Sequence, residues 1–267
     1  MAKAKETVSR TLIVALVLSI VFSIVVSTAA VVLRPAQIKN QNLDIKTNIL
    51  SASGMLPEGA GAEEIENIFS QFEVRLVDLD TGDYVEPSSV GVKDPMKYDM
   101  YKSASDPMMS TMIPASEDKA GIKHRPNVAK VYTLSENGNL KRVVLPIHGY
   151  GLWSTLYGFM SLEGDLNTIE GLGFYAHAET PGLGGEVDNP RWKSQWVGKK
   201  LYGEDTYKPQ IRLIKGGVGA NTADKEHKVD ALSGATLTSR GVQQLVNYWM
   251  GDRGYAPFLK KLREGEV

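Results

Sequence analysis

One uninterrupted apolar run dominates the start of the chain. Residues 11–33 carry no charged side chain, and as an α-helix they would extend roughly 34 Å, which exceeds the ~30 Å hydrocarbon core of a bilayer. A cleaved signal peptide is the alternative, because the small residues at 27–30 are typical of a cleavage site. The apolar core of a signal peptide is only about 7 to 15 residues long, however. The pattern therefore predicts an uncleaved transmembrane helix at 11–33.

Positive charges flank this run unevenly. Three basic residues crowd the short tail before it, and three are spread over the longer stretch after it: Lys3, Lys5, Arg10, Arg34, Lys39 and Lys46. Short basic segments beside a span tend to stay in the cytoplasm. We therefore expect residues 1–10 to form a cytoplasmic tail and residues 34–267 to lie on the other side of the membrane.

Two helices are predicted between the apolar run and the first strand. Arg34-Pro35 closes the span, since proline interrupts the hydrogen bonding of a helix. An imperfect apolar stripe over 38–50 then ends near Gly54, which predicts a separate juxtamembrane helix. Residues 63–72 follow as a short amphipathic helix.

The middle of the chain has the pattern of strands joined by tight turns. A hairpin is predicted around residues 80–83, and a stronger one over 128–145 around Asn137-Gly138, a dipeptide typical of two-residue turns. Further strands are predicted at 153–162, 173–178 and 210–214. Residues 86–126 are rich in Pro, Met, Ser and Asp and lack periodicity, so we interpret them as a long segment that covers a sheet.

Helices return near the end of the chain. Apolar residues at i, i+3, i+4 and i+7 mark a helix that starts near Thr238 or Ser239 and stops at Gly251, and Pro257 opens a last short helix. Strands and helices are thus segregated rather than alternating. The expected fold class is α+β: an antiparallel sheet with flanking helices, in one domain after the membrane helix.

Composition narrows the chemistry. The chain has no cysteine, which excludes disulfides, cysteine-ligated iron–sulfur clusters and thiol catalysis, so a redox role requires an organic cofactor. A net charge of −1 without blocks of like charge gives no support for a nucleic-acid partner. We predict neither a metal site nor a catalytic acid or base.

A run of small residues precedes the predicted C-terminal helix. It comprises Asp230, Ser233, Gly234, Ala235, Thr236, Leu237 and Thr238. Small side chains leave the backbone accessible, and the first amides of a helix attract an anion. The run is therefore a candidate phosphate site in which the Thr236 hydroxyl becomes one of the ester oxygens. An ordinary helix N-terminus with small-residue packing would give the same spacing.

The motif Asp-x-x-Ser-Gly-Ala-Thr-x-Thr at 230–238 resembles the flavinylation motif of the FMN-binding domain family. The C subunits of sodium-translocating NADH:quinone reductases and the G subunits of Rnf complexes share this domain. Segments 146–154 and 177–184 resemble the same family in the same order. The N-terminal stretch through 33–35 and 43–50, together with 94–99, is similar to the sodium-pump C subunits in particular. Those subunits often have cysteines in the membrane helix, where this chain has Ser19, Phe22 and Ser23.

The resemblance implies an electron carrier in a multi-subunit, sodium-motive quinone reductase of the bacterial inner membrane, with NADH bound by another subunit. It also implies that FMN is attached covalently to Thr236 through its phosphate by a separate, magnesium-dependent flavin transferase that uses FAD. The implied partners are the other subunits, the membrane and this transferase. Residues 34–267 would then be a periplasmic FMN-binding domain.

Other residues are candidates for the surroundings of the flavin. Leu152, Trp153 and Leu183 could flank the isoalloxazine ring, since a flavin requires apolar faces and hydrogen bonds at its edge. Glu179, Thr180, Gly184 and Lys215 complete the candidate set. Each has a simpler interpretation. The apolar residues could belong to the core, and the glycines could form tight turns. His177 and Glu179 could be neighbours on one strand face, and Lys215 could lie at a solvated strand end.

The spacing Gly171-Leu-Gly173-Phe-Tyr-Ala176 matches the dinucleotide-binding fingerprint. That fingerprint must open a helix, whereas residues 174–178 have the pattern of a strand. We interpret the match as accidental.

The sequence leaves two alternatives to the sodium-pump assignment open. One is a G-type electron-transfer subunit of an Rnf complex, which shares the domain. The other is a membrane-anchored binding or assembly module that keeps the fold without flavin.

Overall fold

The computed structural model describes residues 7–204 and 206–267. The chain divides after Asp44 into two compact units. Lys3 and Lys5, on which the predicted cytoplasmic tail depends, lie outside the described residues.

A single helix of 45 residues, α1 (Val8–Ala52), contains the apolar run. It is long and apolar enough to cross a membrane. Its apolar residues between 11 and 33 are exposed, which fits contact with lipid and not a place in a soluble core. Pro35 lies inside α1, so the prediction that Arg34-Pro35 separates two helices is wrong. Proline removes one helical hydrogen bond, and the helix continues on both sides of it.

The rest of the chain forms an α+β fold. In chain order its elements are α2 (Ala62–Phe69), β1 (Glu73–Asp78), β2 (Tyr84–Val85), α3 (Met100–Ser103), β3 (Ser110–Met112), β4 (His124–Pro126), β5 (Val128–Glu136), β6 (Asn139–Tyr150), β7 (Thr155–Glu163), β8 (Ile169–Ala176), α4 (Pro190–Ser194), β9 (Arg212–Ile214), β10 (Lys228–Asp230), α5 (Thr236–Trp249) and α6 (Ala256–Glu264). Short 3₁₀ helices cover Pro87–Val90, Pro95–Lys97, Gly184–Asp188 and Lys225–His227.

Six strands form one antiparallel sheet in the order β2-β1-β5-β6-β7-β8. β3 and β4 make a separate antiparallel pair, and β9 and β10 a parallel pair. The predicted fold class is confirmed. The strand β10, only three residues long, has too little pattern to be predicted from the sequence.

Both predicted hairpins are present. The first joins β1 to β2. In the second, Asn137 and Gly138 have φ of 53° and 78°, the left-handed conformations that a two-residue turn requires. Strand β6 runs well past its predicted end, to Tyr150, and therefore carries His148 into the region of the candidate site.

Two predicted boundaries are wrong near the site. Strand β8 ends at Ala176, so His177 and Glu179 lie in the following loop and do not share a strand face. The helix α5 begins at Thr236, earlier than the predicted Thr238 or Ser239. The dinucleotide-like spacing lies within β8, which confirms that it does not open a helix.

Helix α5 packs its apolar side on the sheet. Val242, Leu245, Val246 and Trp249 are fully buried, and the Trp249 indole donates a hydrogen bond to the His148 carbonyl at 2.6 Å. The same core includes Tyr98, Met100 and Ala120 from the segment 86–126. The end of β6 is thereby fixed against α5.

Candidate functional site

The small-residue motif forms a turn that leads into α5. Gly234 has φ of 71°, and Ala235 precedes the first helical residue. Ser239 braces the turn from within the helix, because its hydroxyl donates to the Ala235 carbonyl at 2.9 Å and accepts from the Leu232 amide at 2.9 Å. The backbone immediately before Thr236 is therefore well fixed.

The first turn of α5 has two contrasting sides. Thr236 and Leu237 are exposed, whereas Thr238 is fully buried. The first amides of a helix have no partner within the helix, and no side chain in the described part of the chain caps α5. The helix therefore retains donors for an anion close to the Thr236 hydroxyl.

Behind this turn, the carboxylate of Glu179 joins three segments. Its Oε1 accepts hydrogen bonds from the amides of Leu152, Trp153 and Ser154 at 3.0, 2.9 and 3.2 Å. Its Oε2 accepts one from the Thr238 hydroxyl at 2.6 Å. One buried side chain thus ties together the β6–β7 loop, the loop after β8 and the first turn of α5. We call these five residues the Glu179 clamp.

Hydrogen bonding keeps Glu179 ionised despite its burial. Burial raises the pKa of this carboxyl group, but the bonds from Thr238 and from the three amides lower it by more. The pKa of Glu179 is therefore below its usual range, and the carboxylate is negatively charged at neutral pH.

Two glycines leave the space that this carboxylate occupies. A Cβ atom on Gly151 would lie 2.6 Å from Oε1 of Glu179. A Cβ atom on Gly184 would lie 2.7 Å from Oε2 and 2.6 Å from the Thr238 hydroxyl. These distances are shorter than real Cβ contacts, so a side chain at either position would displace the Glu179 carboxylate from its hydrogen bonds.

Exposed apolar side chains are attached to the same three segments. Trp153 is 65% exposed, Leu237 51% and Leu183 44%. Leu183 lies over the motif, because a Cβ atom on Gly234 would be 2.9 Å from its Cδ2. We call Trp153, Leu183 and Leu237 the apolar face. Contiguous apolar patches at a protein surface commonly mark a binding site, and the clamp holds together the three segments that carry these side chains.

The loop after β8 is shaped by its own hydrogen bonds. The Thr180 carbonyl accepts from the amides of Leu183 and Gly185 at 3.1 and 2.9 Å, which forms the turn that carries Leu183. The His177 ring accepts from the Glu179 amide at 3.2 Å and contacts the Asp188 carboxylate at 2.8 Å. His177 therefore supports the loop.

Asp230 and Lys215 belong to a neighbouring group. The Asp230 carboxylate accepts from the Val218 amide at 2.6 Å, and its carbonyl accepts from the Trp192 indole at 2.8 Å. Its amide donates to the Gln195 side chain at 3.0 Å. The contact with Val218 holds the turn that follows the exposed Lys215, and the other two join Asp230 to the α4 region. A role of Asp230 in cofactor binding stays a prediction.

The structure brings most of the candidate residues together. Leu152, Trp153, Glu179 and Thr238 meet in the clamp, and Gly184 and Leu183 border it. Sequence reasoning missed Ser154, whose hydroxyl also accepts from the Ala178 amide at 2.7 Å. No local signal identifies Ser154, because its partners come from a distant segment.

The arrangement fits a flavin mononucleotide. The accessible Thr236 hydroxyl and the uncapped N-terminus of α5 suit a phosphate, and the apolar face suits a large planar ring. Arg240 is exposed one helical turn after Thr236 and adds positive charge on the same side of the helix.

Comparison with known proteins connects this geometry to a family. Residues 151–251 match the FMN-binding domain family. The C subunit of the Na⁺-translocating NADH-quinone reductase from Pseudomonas aeruginosa is 47% identical over 264 residues, which cover 98% of this chain and 99% of the relative. Its counterpart from Vibrio campbellii is 45% identical over 266 residues, 99% of each chain. Among solved structures, NqrC from Shewanella oneidensis has a TM-score of 0.75 and 36% identity, over 84% of this chain and 99% of that one.

Proposed function

This chain belongs to the family of C subunits of the Na⁺-translocating NADH-quinone reductases, and we propose that it holds its FMN through a phosphoester bond to Thr236. As a member of that family it is an FMN-binding, electron-carrying subunit of a membrane redox enzyme, and the other subunits of the complex are its partners. The family resemblance of the three sequence motifs is confirmed.

The observation that carries the proposal is the contrast between the two threonines of the motif. Thr238 is buried and its hydroxyl is bonded to Glu179, whereas Thr236 is exposed at the uncapped start of α5. Of these two hydroxyls, that of Thr236 is accessible to a second enzyme. Once esterified, the phosphate would lie beside the amides of the first helical turn, which favour its negative charge.

The attachment step is a phosphoryl transfer from FAD. In the proposed step, a bond between Thr236 Oγ1 and the FMN phosphorus would form as the pyrophosphate bond to that phosphorus breaks, with AMP as the leaving group. A base of the transferase would accept the hydroxyl proton. Positioning and charge compensation by Mg²⁺ are the main requirements of such a transfer, and we propose that the transferase supplies both.

We propose that the isoalloxazine ring binds against the apolar face. Trp153 and Leu183 would flank the ring, with Leu152 and Leu237 beside it, while Glu179, Thr180 and Gly184 keep the supporting loops in place. Lys215 would reach the ring edge or the phosphate from the turn that Asp230 holds. The bound flavin supplies electron transfer, and these residues orient it and limit its contact with water.

We also propose that α1 crosses the bacterial inner membrane once, with the N-terminus in the cytoplasm and residues 34–267 in the periplasm. The uneven basic residues beside the apolar run support this orientation. Reporters fused after Gly54 test it. Active alkaline phosphatase without green fluorescence is expected, and the reverse pattern would contradict the orientation.

Denaturing electrophoresis tests the attachment, because only a covalently bound flavin stays with the unfolded chain. With a co-expressed flavin transferase, the wild-type band should fluoresce and the Thr236→Ala band should not. Thr236→Ser should be labelled partially, since serine lacks the methyl group that restricts the hydroxyl rotamer. A dark wild-type band, with the transferase active on another substrate, would contradict the covalent attachment.

A further inference from the structure

Arg240 is the single charged residue of α5, and it lies near the end of the helix that disfavours a positive charge. The sequence of α5 contains no acidic residue, and its last turn contains no basic one. The start of a helix carries a partial positive charge, so basic side chains are stabilised at the opposite end. Arg240, in the second turn, therefore receives no electrostatic support from its own helix.

The rest of the described chain does not compensate this charge either. Arg240 is exposed, and its side chain forms no hydrogen bond or ion pair with any described residue. The carboxylate of Glu179 is buried, and it already accepts hydrogen bonds from Thr238 and three amides. The guanidinium group of Arg240 is thus available to an anion from outside the chain.

Helical spacing brings Arg240 to the side of Thr236. Residues four apart differ by about 40° around a helix, and their Cβ atoms lie roughly 5–6 Å apart. Helical side chains lean toward the N-terminus, so that of Arg240 extends over the first turn. Ser239 and Gly241 are buried, whereas Thr236 and Arg240 are both exposed. The hydroxyl and the guanidinium group therefore share the outer side of α5.

A guanidinium group in this place suits the transfer of a phosphoryl group. In the step proposed above, Thr236 Oγ1 would bond to the FMN phosphorus of FAD, AMP would leave with the bridging oxygen, and a base of the transferase would accept the proton. Negative charge is spread over the oxygens of the transferred group in such a reaction. Arginine binds these oxygens through two parallel N–H donors, and donors placed where charge develops lower the barrier.

We propose that Arg240 binds the phosphate that Thr236 receives, and that it compensates negative charge during the transfer in addition to Mg²⁺. The inference rests on the proposed attachment at Thr236. The chain thereby contributes a catalytic residue to its own modification. Arg240 then keeps its contact with the phosphodiester after AMP has left.

The kinetics of flavin attachment test this role. The unmodified full chain in detergent is incubated with purified flavin transferase, FAD and Mg²⁺, and covalent flavin is read as in-gel fluorescence over a series of chain concentrations. Arg240→Gln should lower kcat at least about tenfold at a nearly unchanged KM, because a hydrogen bond to a charged group is lost in the transition state. Arg240→Lys keeps the charge without the two parallel donors and should recover part of kcat.

Arg191 provides the matched control. It is exposed in α4, and Arg191→Gln makes the same change of charge, so kcat should stay at the wild-type value. The ³¹P resonance of the fully flavinylated chain gives a second measurement, which does not depend on a rate. Arg240→Gln should shift this resonance because the phosphodiester loses its donors, and Arg191→Gln should leave it unchanged.

The outcomes separate this inference from the attachment itself. If the wild type gains no covalent flavin, the attachment at Thr236 fails and the inference fails with it. If the wild type is labelled but Arg240→Gln keeps the wild-type kcat, or changes only KM, the inference alone is overturned. An equal loss of kcat in Arg191→Gln would also overturn it, since net charge would then explain the effect. An unchanged ³¹P resonance in Arg240→Gln would contradict the retained contact.

Discussion

The two sides of the first turn of α5 reverse the usual distribution of residues. On the inner side a carboxylate, a hydroxyl and three amides are buried together in the Glu179 clamp. On the outer side Trp153, Leu183 and Leu237 are exposed. Apolar residues ordinarily lie inside and ionised ones outside. This reversal supports our proposal that the clamp holds these apolar side chains at the surface for the flavin.

The largest expected effect comes from filling the space of the clamp. In Gly184→Ala the new Cβ would meet both the Glu179 carboxylate and the Thr238 hydroxyl. Overpacking and the loss of charged hydrogen bonds should together lower the free energy of unfolding by at least about 3 kcal/mol. Thermal unfolding of the full chain measures this.

Gly173→Ala is the matched control. A Cβ on Gly173 meets no atom within 4 Å among the described residues, so the change should stay within about 0.5 kcal/mol. Equal destabilisation by the two substitutions would show that the clamp is not the reason for glycine at 184.

Removing the charge of the clamp should have the next largest effect. In Glu179→Gln an NH₂ group, itself a donor, replaces one carboxylate oxygen that accepts hydrogen bonds. The loss of a hydrogen bond to a charged group costs about 1.5–3 kcal/mol. Glu136→Gln, at an exposed residue paired with Lys141, should change stability by less than about 1 kcal/mol. If chemical denaturation gives the two variants the same stability, the clamp contributes nothing beyond a surface ion pair.

The stability of the clamp should depend on pH in one direction. The folded-state pKa of Glu179 is lowered from 4.5, so the carboxylate stabilises the fold fully above about that pH, and the contribution disappears as the pH falls through the lower folded-state pKa. The difference in unfolding free energy between the wild type and Glu179→Gln should therefore be constant from pH 8 to 6 and shrink below about pH 4.5. A difference that grows in acid would contradict this assignment.

The elements that the sequence predicts well are those specified locally. A run of apolar residues specifies α1, and Asn137-Gly138 specifies a hairpin through its own φ angles. The clamp is different, because its hydrogen bonds join residues 25 to 59 positions apart. The end of β8 is likewise set by its pairing with β7. The local pattern does not contain this pairing, and it therefore predicts Glu179 on a strand. The motif points to Thr236 through a family resemblance, whereas the role of Thr238 is visible only in the fold, where its hydroxyl donates to Glu179.

The smallest effect on stability is expected on the outer side of the turn. Leu237 is half exposed, so Leu237→Ser should change the free energy of unfolding by about 0.5 kcal/mol or less. Leu245, on the same helix, is fully buried, and Leu245→Ser should cost more than about 3 kcal/mol. In flavin-loaded protein, Leu237→Ser should nevertheless move the visible absorption of the flavin toward that of free flavin in water. An unchanged spectrum would argue against a contact between Leu237 and the isoalloxazine ring.

Peptide mapping by mass spectrometry tests the central claim most directly. The wild-type chain, Thr236→Ala and Thr238→Val are each co-expressed with a flavin transferase and digested, and the peptide that contains residues 230–240 is examined for an FMN adduct. Ser233 is also exposed in this peptide, so fragmentation must assign the modified side chain. We predict an adduct on Thr236 in the wild type and in Thr238→Val, and none in Thr236→Ala. An adduct that persists in Thr236→Ala, or one that fragmentation assigns to Ser233, would contradict the account.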